Sequence, residues 1–341
     1  MKRRPRISRR GLQLAALLAG LGFVAALQPG YAILVVDYTP GVGGSFDPDF
    51  VLGKPTGGGL TQGSTDVCSL GSGGTLTVEV DPPILDGAGA DLMVCENAFF
   101  VTGTLQSFAE VAFVEVSSDG EHFARLSSNY TGPDEPLPIF TGIHPARYRG
   151  FAGAMPVSAN PPAVDPLDVT AAGGDLFDLH ELVDHPLVLA DQLDLGNVRF
   201  VRLVDVEAGI AVDTAGHVVY DCGVGNGSSS DIDAVVGLNT VENQDGGRPR
   251  VETDLVNGFL VIVLQDLNGL WDIKAGITLS VNGYPVPFGA LLPYFQFTSL
   301  SPTKVELTSL GPIPPGLFPA VLRVGLRDTL GLRGGDGVTI Q

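Results

Sequence analysis

The feature that most constrains this chain is a series of short apolar runs, each of strand length and each bounded by turn-forming residues. Gly and Pro occur 46 and 25 times in 341 residues, and with Asp and Asn they separate the runs. Helical periodicity between them is weak, so the pattern indicates strands rather than helices. The runs lie at 75–80, 92–95, 111–117, 198–206, 234–238, 259–264 and 321–326. We therefore expect an all-β protein built from β-sandwiches.

A polar, turn-rich segment at 244–250 divides the chain and is typical of a linker. It separates a first domain at 33–243 from a second domain at 251–341, whose length suits one immunoglobulin-sized sandwich. The first domain is large for one sandwich. Its surplus lies in a Pro- and Gly-rich excursion at 130–174, and long loops of this kind are commonly functional or disordered.

The first 32 residues have the three-part pattern of a secretory signal peptide. The first ten residues carry six positive charges, an apolar stretch follows at 12–27, and small residues stand near position 32. Ser8, Arg9 and Arg10 also resemble the twin-arginine export motif, so both export routes stay open. We expect an exported protein, extracellular or on the cell surface, with the periplasm as an alternative. No later segment is apolar enough to span a membrane.

The charge balance limits the partners of the chain. It has 38 acidic and 19 basic residues, giving a formal net charge of −19. Nucleic-acid binding needs clustered Lys and Arg to neutralise phosphates, so this balance argues against a nucleic-acid partner. It also offers many carboxylates to hard cations.

Two hairpin and strand motifs resemble the galactose-binding-like (discoidin-type) jelly roll. The first is a strand, an Asp119-Gly120 turn and a second strand; the other is the alternating strand at 198–203, and Asp233 stands where that family places an acidic residue in its last strand. Six further motifs are similar to a family of bacterial cell-surface proteins: FDPD at 46–49, VLG at 51–53, SLGSGG at 69–74, DLMVCEN at 91–97, GGDLFDL at 173–179 and DIDAV at 231–235.

The tail resembles a bacterial immunoglobulin-like or cadherin-like module. The matching motifs are VLQD at 263–266, ITLSVNG at 277–283, PPGL at 314–317 and RVGLRD at 323–328. The two resemblances together imply a jelly-roll β-sandwich followed by an immunoglobulin-like β-sandwich. They also imply an exported surface protein with a non-catalytic binding role.

Calcium is the first candidate cofactor, because Ca²⁺ takes oxygen ligands from carboxylates, amides and carbonyls. The resemblance implies a structural Ca²⁺ near the ends of the first and last strands of the jelly roll, which Asp47 or Asp49 and Asp233 match by position. Asp175 and Asp178 share the turn-rich context. The candidate ligands are Asp47, Asp49, Glu96, Asn97, Asp231 and Asp233. The alternative is that these side chains cap turns and accept backbone hydrogen bonds.

A glycan is the candidate ligand, because sugar sites combine aromatic platforms with polar side chains, and loops commonly carry binding residues. The excursion supplies such residues: Tyr130, His144, Arg147, Tyr148 and Arg149. A surface protein is the other possible partner. The alternative is that the aromatic rings of this loop pin it to the core and its arginines pair with the acidic surface.

Two other functions stay open. One is a structural or adhesive surface protein with no small ligand. The other is a glycoside hydrolase, because the separation of two catalytic carboxylates is a spatial quantity. No GxSxG motif supports nucleophilic catalysis. His180 and His185 stand five residues apart, whereas HExxH zinc sites need four. Cys68 and Cys222 could form a disulfide after export.

Overall fold

The computed structural model describes residues 29–138, 141–222, 229–240, 249–266, 276–312, 319–327 and 333–341. Most of the predicted signal peptide (1–32) and most of the predicted linker (244–250) lie outside these residues. We call the part at 29–240 the N-terminal module and the part at 249–341 the C-terminal module.

Strands dominate both modules, which confirms the all-β prediction. The N-terminal module contains β1 (Gly30–Thr39), β2 (Cys68–Ser69), β3 (Thr75–Ile84), β4 (Leu92–Glu96), β5 (Phe99–Phe100), β6 (Ser107–Phe108), β7 (Ala112–Ser117), β8 (Ala124–Arg125), β9 (Asn129–Tyr130), β10 (Tyr148–Arg149), β11 (Asp175–Phe177), β12 (Val198–Asp205) and β13 (Asp231–Gly237). The C-terminal module contains β14 (Arg250–Val256), β15 (Phe259–Gln265), β16 (Ile277–Val281), β17 (Tyr284–Pro285), β18 (Phe295–Ser301), β19 (Lys304–Ser309), β20 (Ala320–Arg327) and β21 (Arg333–Ile340).

The helices of the described residues are single turns that connect strands. The α-helices are α1 (Val169–Ala172), α2 (Pro186–Leu189) and α3 (Phe288–Leu291). The 3₁₀ helices are Pro48–Val51, Pro145–Arg147, Leu179–Leu182 and Leu292–Tyr294. Within the described part of the chain, none has the length and apolar character that crossing a bilayer requires.

One antiparallel sheet of nine strands forms the frame of the N-terminal module. Its order is β11-β4-β13-β1-β3-β12-β7-β8, with β2 paired to β13. Strand β1 begins at Gly30, and Tyr31 lies opposite both Val236 and Asp81. The sheet therefore includes the last three residues of the segment that the sequence assigns to the signal peptide.

The curled sheet encloses a core of side chains that alternate along its strands. Leu76, Val78 and Val80 of β3 are fully buried beside Val201 and Leu203 of β12. A second apolar cluster lies under the long excursion and holds aromatic rings of that segment. Most of the excursion therefore belongs to the packed body of the module.

The C-terminal module is a sandwich of two four-stranded antiparallel sheets. Their orders are β14-β15-β19-β18 and β17-β16-β20-β21. Leu264 and Leu307 of the first sheet and Val324 of the second are fully buried in one cluster. Two facing sheets with a shared apolar layer confirm the predicted sandwich.

A buried arginine is one of the contacts between the two modules. Arg323 of β20 is 3% exposed, and its guanidinium donates to the carbonyl oxygens of Val169, Gly173 and Gly174. Burial lowers the pKa of Arg323, and the nearby Asp175 carboxylate raises it again. The C-terminal module is thus anchored on the loop that precedes β11.

Candidate metal centre

Strand pairing brings three of the six predicted metal ligands together. Glu96 ends β4 and Asp231 begins β13, and the register places Glu96 opposite Ile232. The backbone N–H of Asp231 donates to Glu96 Oε1 at 2.9 Å. The backbone N–H of Asn97 donates to the Asp231 carbonyl oxygen at 3.1 Å. These three residues form what we call the Glu96 pocket.

Two oxygen atoms of the Glu96 pocket are buried without a hydrogen-bond partner in the described structure. They are Glu96 Oε2 and Asn97 Oδ1. Glu96 is 2% exposed, and burial raises its pKa well above the usual range, with the Asp231 charge adding to the effect. A buried acceptor without a donor costs about 1–3 kcal/mol, and more if it is charged. Among the residues that the structure describes, the pocket therefore lacks a donor or a positive charge for these two oxygens.

Asp231 contacts both side chains of the pocket. It is half-buried, and burial raises its pKa, whereas hydrogen bonds with the side chains of Ser69 and Asn97 lower it. Gly63 packs closely against Asn97, because a Cβ there would meet the amide oxygen of Asn97. Oxygen atoms from two carboxylates and one amide are the donor chemistry that Ca²⁺ prefers.

The other three predicted ligands make hydrogen bonds of their own outside the Glu96 pocket. Asp47 is the N-cap of the 3₁₀ helix at Pro48–Val51: its carboxylate accepts from the Asp49 N–H at 3.0 Å. Both residues are exposed. Asp233 binds Thr56 instead, accepting from its N–H at 3.1 Å and its hydroxyl at 2.9 Å. These contacts are the turn-capping alternative that the sequence left open.

The structure brings together a second acidic group that the sequence did not predict. Asp86, Asp91 and Asp178, here called the aspartate triad, have carboxylate oxygens within 4.8 Å of one another. It is the one group of three or more His, Cys, Asp or Glu ligand atoms this close within the described ranges. Asp91 and Asp178 belong to two of the motifs that resemble the cell-surface family. This was the sequence feature that could have pointed to the triad.

Donors surround the buried member of the aspartate triad. Asp91 is 0% exposed and accepts from the N–H groups of Gly87 and Leu179 at 3.0 and 2.8 Å and from the Asn239 amide at 2.5 Å. Burial raises the pKa of Asp91 well above its usual range. Asp86 lies 3.3 Å from the ring nitrogen of His180. Asp91 is therefore satisfied by donors of the chain, and Asp86 has a neighbour in His180.

The structure buries both tyrosines of the predicted glycan platform. Tyr130 and Tyr148 are 3% and 2% exposed, with ring centroids 5.4 Å apart in the apolar cluster under the excursion. Their hydroxyls donate to the carbonyl oxygens of Pro133 and Tyr220 at 2.9 and 2.8 Å. The rings are therefore core, because the excursion folds its aromatic side inwards, and neither can stack on a sugar.

The three polar residues of that prediction have different surroundings. His144 accepts the Ala146 N–H at 3.2 Å as the cap of a 3₁₀ helix, and burial lowers its pKa. Arg147 is half-buried and donates to the Thr131 carbonyl oxygen at 3.1 Å. Arg149 is exposed at the end of β10. Arg149 alone of the five predicted residues is freely accessible.

The cysteines do not form the possible disulfide. Cys68 and Cys222 are free and buried in separate apolar clusters. Burial raises the pKa of each thiol to about 11. Both thiols are protonated at neutral pH and pack as small apolar side chains.

Comparisons with known proteins add little to this geometry. No protein-family model and no curated protein matches the chain. Among solved structures, a DUF4785 family protein from Legionella pneumophila is similar at 11% identity and a TM-score of 0.20, over 90% of this chain and 70% of that one. A TM-score this low carries no argument about fold or function. The resemblance to the discoidin-type family is not confirmed, and what is shown is the all-β architecture.

Proposed function

We propose that this chain is an exported, non-catalytic protein of the bacterial cell surface whose N-terminal module is stabilised by Ca²⁺ in the Glu96 pocket. The basic and apolar pattern of residues 1–32 supports export. The observation that carries the metal is the pair of buried oxygens, Glu96 Oε2 and Asn97 Oδ1, that have no donor in the described structure.

The donor set of the pocket fits a hard cation. Glu96 and Asp231 supply carboxylates, and Asn97 supplies an amide oxygen. When bound, Ca²⁺ supplies positive charge that compensates the two carboxylates. Waters and backbone carbonyls complete a Ca²⁺ shell of six to eight oxygens in known sites.

A proton is the competing species. A protonated Glu96 removes one charge and turns Oε2 into a donor, which agrees with the raised pKa of this group. One proton satisfies one acceptor, whereas the pocket has an unpaired amide oxygen and a second carboxylate as well. We therefore favour the cation over the proton.

Thermal unfolding tests the proposal. The purified chain is melted in EDTA, in excess Ca²⁺ and in excess Mg²⁺. A ligand that binds only the folded state stabilises it by about 2.7 kcal/mol at a concentration of 100 Kd. We expect a Ca²⁺-selective rise in melting temperature that Glu96→Gln abolishes. The matched control is Asp47→Asn, which removes a capping carboxylate and keeps the rise. No shift in either ion supports the proton instead.

A glycan ligand remains the second part of the proposal, now without an aromatic platform. Arg149 is exposed, and Arg147 lies on the same short segment. Guanidinium groups hydrogen-bond hydroxyls and carboxylates, so a sugar would be held by polar contacts. Glycan-array binding that Arg149→Ala abolishes, and that the exposed control Arg250→Ala retains, is the expected result. Absence of binding favours the structural or adhesive role.

A further inference from the structure

Strand β18 (Phe295–Ser301) lies at an open edge of the C-terminal sandwich. It pairs with β19 on one side, and no described residue pairs with its other side. An edge strand presents a row of unpaired N–H and C=O groups, which is a template for another strand. The register is regular from Phe295 to Ser299, and a bulge affects the last residues alone.

The stretch of sequence that contains β18 carries no charge. Residues 275–303 contain no Asp, Glu, Lys, Arg or His, in a chain with 38 acidic and 19 basic residues. Natural proteins commonly protect an edge with charged side chains or proline. Strand β18 itself contains neither.

The other three edges of the same sandwich have such protection. Strand β14 carries Arg250, Glu252 and Asp254. Strand β17 is two residues long and ends in Pro285, and its Tyr284 stacks on Phe100 of the N-terminal module at 5.9 Å. Strand β21 carries charge and is held to the N-terminal module by the pair of Arg333 with Asp168. Strand β18 is the exception.

Apolar side chains are also exposed along this edge in the part of the chain that the structure describes. Phe297 lies opposite Leu307, which is fully buried, so the two side chains share the core-facing side of the sheet. Phe297 is nevertheless 40% exposed. Tyr294, Leu300 and Leu310 near it are exposed as well. A strand added beside β18 would cover this apolar surface.

We infer that β18 pairs with β18 of a second copy of this chain, in antiparallel orientation about a two-fold axis. Two copies repel each other, because each has a net charge of −19. Strand β18 itself carries no charge, and the charges opposite it on β19, Lys304 and Glu306, have opposite signs, so this edge adds little to the repulsion. A two-fold contact places the same surface on both sides, so neither side needs a complementary charge. The pairing joins two four-stranded sheets and covers Phe297 of both copies.

Sedimentation velocity of the purified full chain over a wide range of concentrations tests this inference. We expect a concentration-dependent doubling of the mass that EDTA does not change, which separates it from the calcium proposal. Added salt should strengthen the association, because it screens the repulsion and no interfacial ion pair is lost.

Two variants locate the contact on β18. Phe297→Lys and Thr298→Lys each place a charge on the edge and should give a monomer at every concentration. Thr298 is exposed and lies opposite Glu306, so a lysine there gains a cross-strand partner and retains the fold. The control is Ile210→Lys, which removes an apolar side chain 72% exposed in the other module and keeps the dimer. A wild-type monomer throughout, or dimers in both β18 variants, would overturn the inference.

Discussion

The Glu96 pocket and the aspartate triad are both acidic and partly buried, but they differ in how their oxygens are satisfied. In the triad, Asp91 accepts from three donors and Asp86 lies against His180. In the pocket, Glu96 Oε1 has one backbone donor, whereas Glu96 Oε2 and Asn97 Oδ1 have no donor in the described structure. The aspartate triad is therefore the site whose acceptor oxygens are better satisfied by donors.

This difference teaches that proximity of carboxylates is a weaker sign of a metal than unmet acceptors. A carboxylate that bonds several N–H groups organises the chain around it without any ion. An acceptor buried without a donor requires a partner that the described residues do not supply. We therefore propose a structural role for the triad and keep the proposed Ca²⁺ for the pocket.

A third buried carboxylate, Asp221, shows how strongly burial of such a group can affect the free energy of unfolding. Its titration has the largest effect that we expect. Burial raises the pKa of Asp221 to about 7, and among the described residues its one donor from another residue is the Val111 N–H at 3.2 Å. Because the folded pKa lies above the unfolded value, its contribution to stability is fully present below about pH 4 and is lost as the pH rises to about 7. The loss is on the order of 4 kcal/mol at 1.36 kcal/mol per pKa unit.

The measurement is the free energy of unfolding against pH for the wild type and Asp221→Asn in EDTA. The difference between the two curves should change through this window, with the wild type losing stability relative to the variant as the pH rises. Parallel curves would show that Asp221 titrates at the same pH in the folded and unfolded states. The charged carboxylate would then cost less to bury than we expect.

Removal of Asp91 should have the next largest effect and should not involve calcium. Asp91→Ala leaves the N–H groups of Gly87 and Leu179 and the Asn239 amide without this acceptor. The Leu179 N–H is buried and the other two groups are partly buried, so at about 1–3 kcal/mol for a fully buried group we expect a loss of roughly 3 kcal/mol. Chemical denaturation in EDTA and in Ca²⁺ measures it, and the loss should be equal in both. A loss confined to Ca²⁺ would make the triad the metal site.

Glu96→Gln should show the opposite behaviour. The amide oxygen of glutamine keeps an acceptor for the Asp231 N–H, and the variant removes a buried negative charge. We therefore expect the stability in EDTA to be equal to or greater than that of the wild type. The stabilisation by saturating Ca²⁺, about 2.7 kcal/mol at 100 Kd, should disappear. If Glu96→Gln kept the full stabilisation by Ca²⁺, Glu96 would not be a metal ligand, and the two acidic sites would not differ in the way we propose.

The smallest effect is expected at the amide of the pocket. Asn97→Ala removes one neutral ligand and should weaken Ca²⁺ binding about tenfold, which equals about 1.4 kcal/mol. The matched variant is Asn239→Ala, which removes an amide from the triad. Calorimetric titration should show unchanged Ca²⁺ affinity in Asn239→Ala. Equal loss in both variants would indicate a general effect on the fold.

The fold class was predictable from the sequence because strand length and turn chemistry are local properties. The run at 198–206 became β12 with nearly the same bounds, and the run at 75–80 became β3, which continues four residues further to Ile84. Glu96 and Asn97 could be named because they end an apolar run, where a carboxylate needs a reason to be present. Their contact with Asp231 could not be derived, because strand pairing over 135 positions is set by the whole sheet.

The errors had the same origin. Asp47 and Asp231 stand in similar turn-rich sequence, and whether a carboxylate caps a turn or enters a pocket depends on the neighbouring strands. Tyr130 and Tyr148 occur in a polar excursion, and the sequence does not show that this excursion folds over a core of its own. The triad was missed because Asp86 has no motif around it.

Calcium stoichiometry tests the central claim most directly. The purified chain, Glu96→Gln and Asp86→Asn are each dialysed against a small excess of Ca²⁺. The bound metal is then measured by atomic emission. We predict one Ca²⁺ per chain in the wild type and in Asp86→Asn, and none in Glu96→Gln. Metal that is retained in Glu96→Gln and lost in Asp86→Asn would place the ion in the aspartate triad and contradict the account.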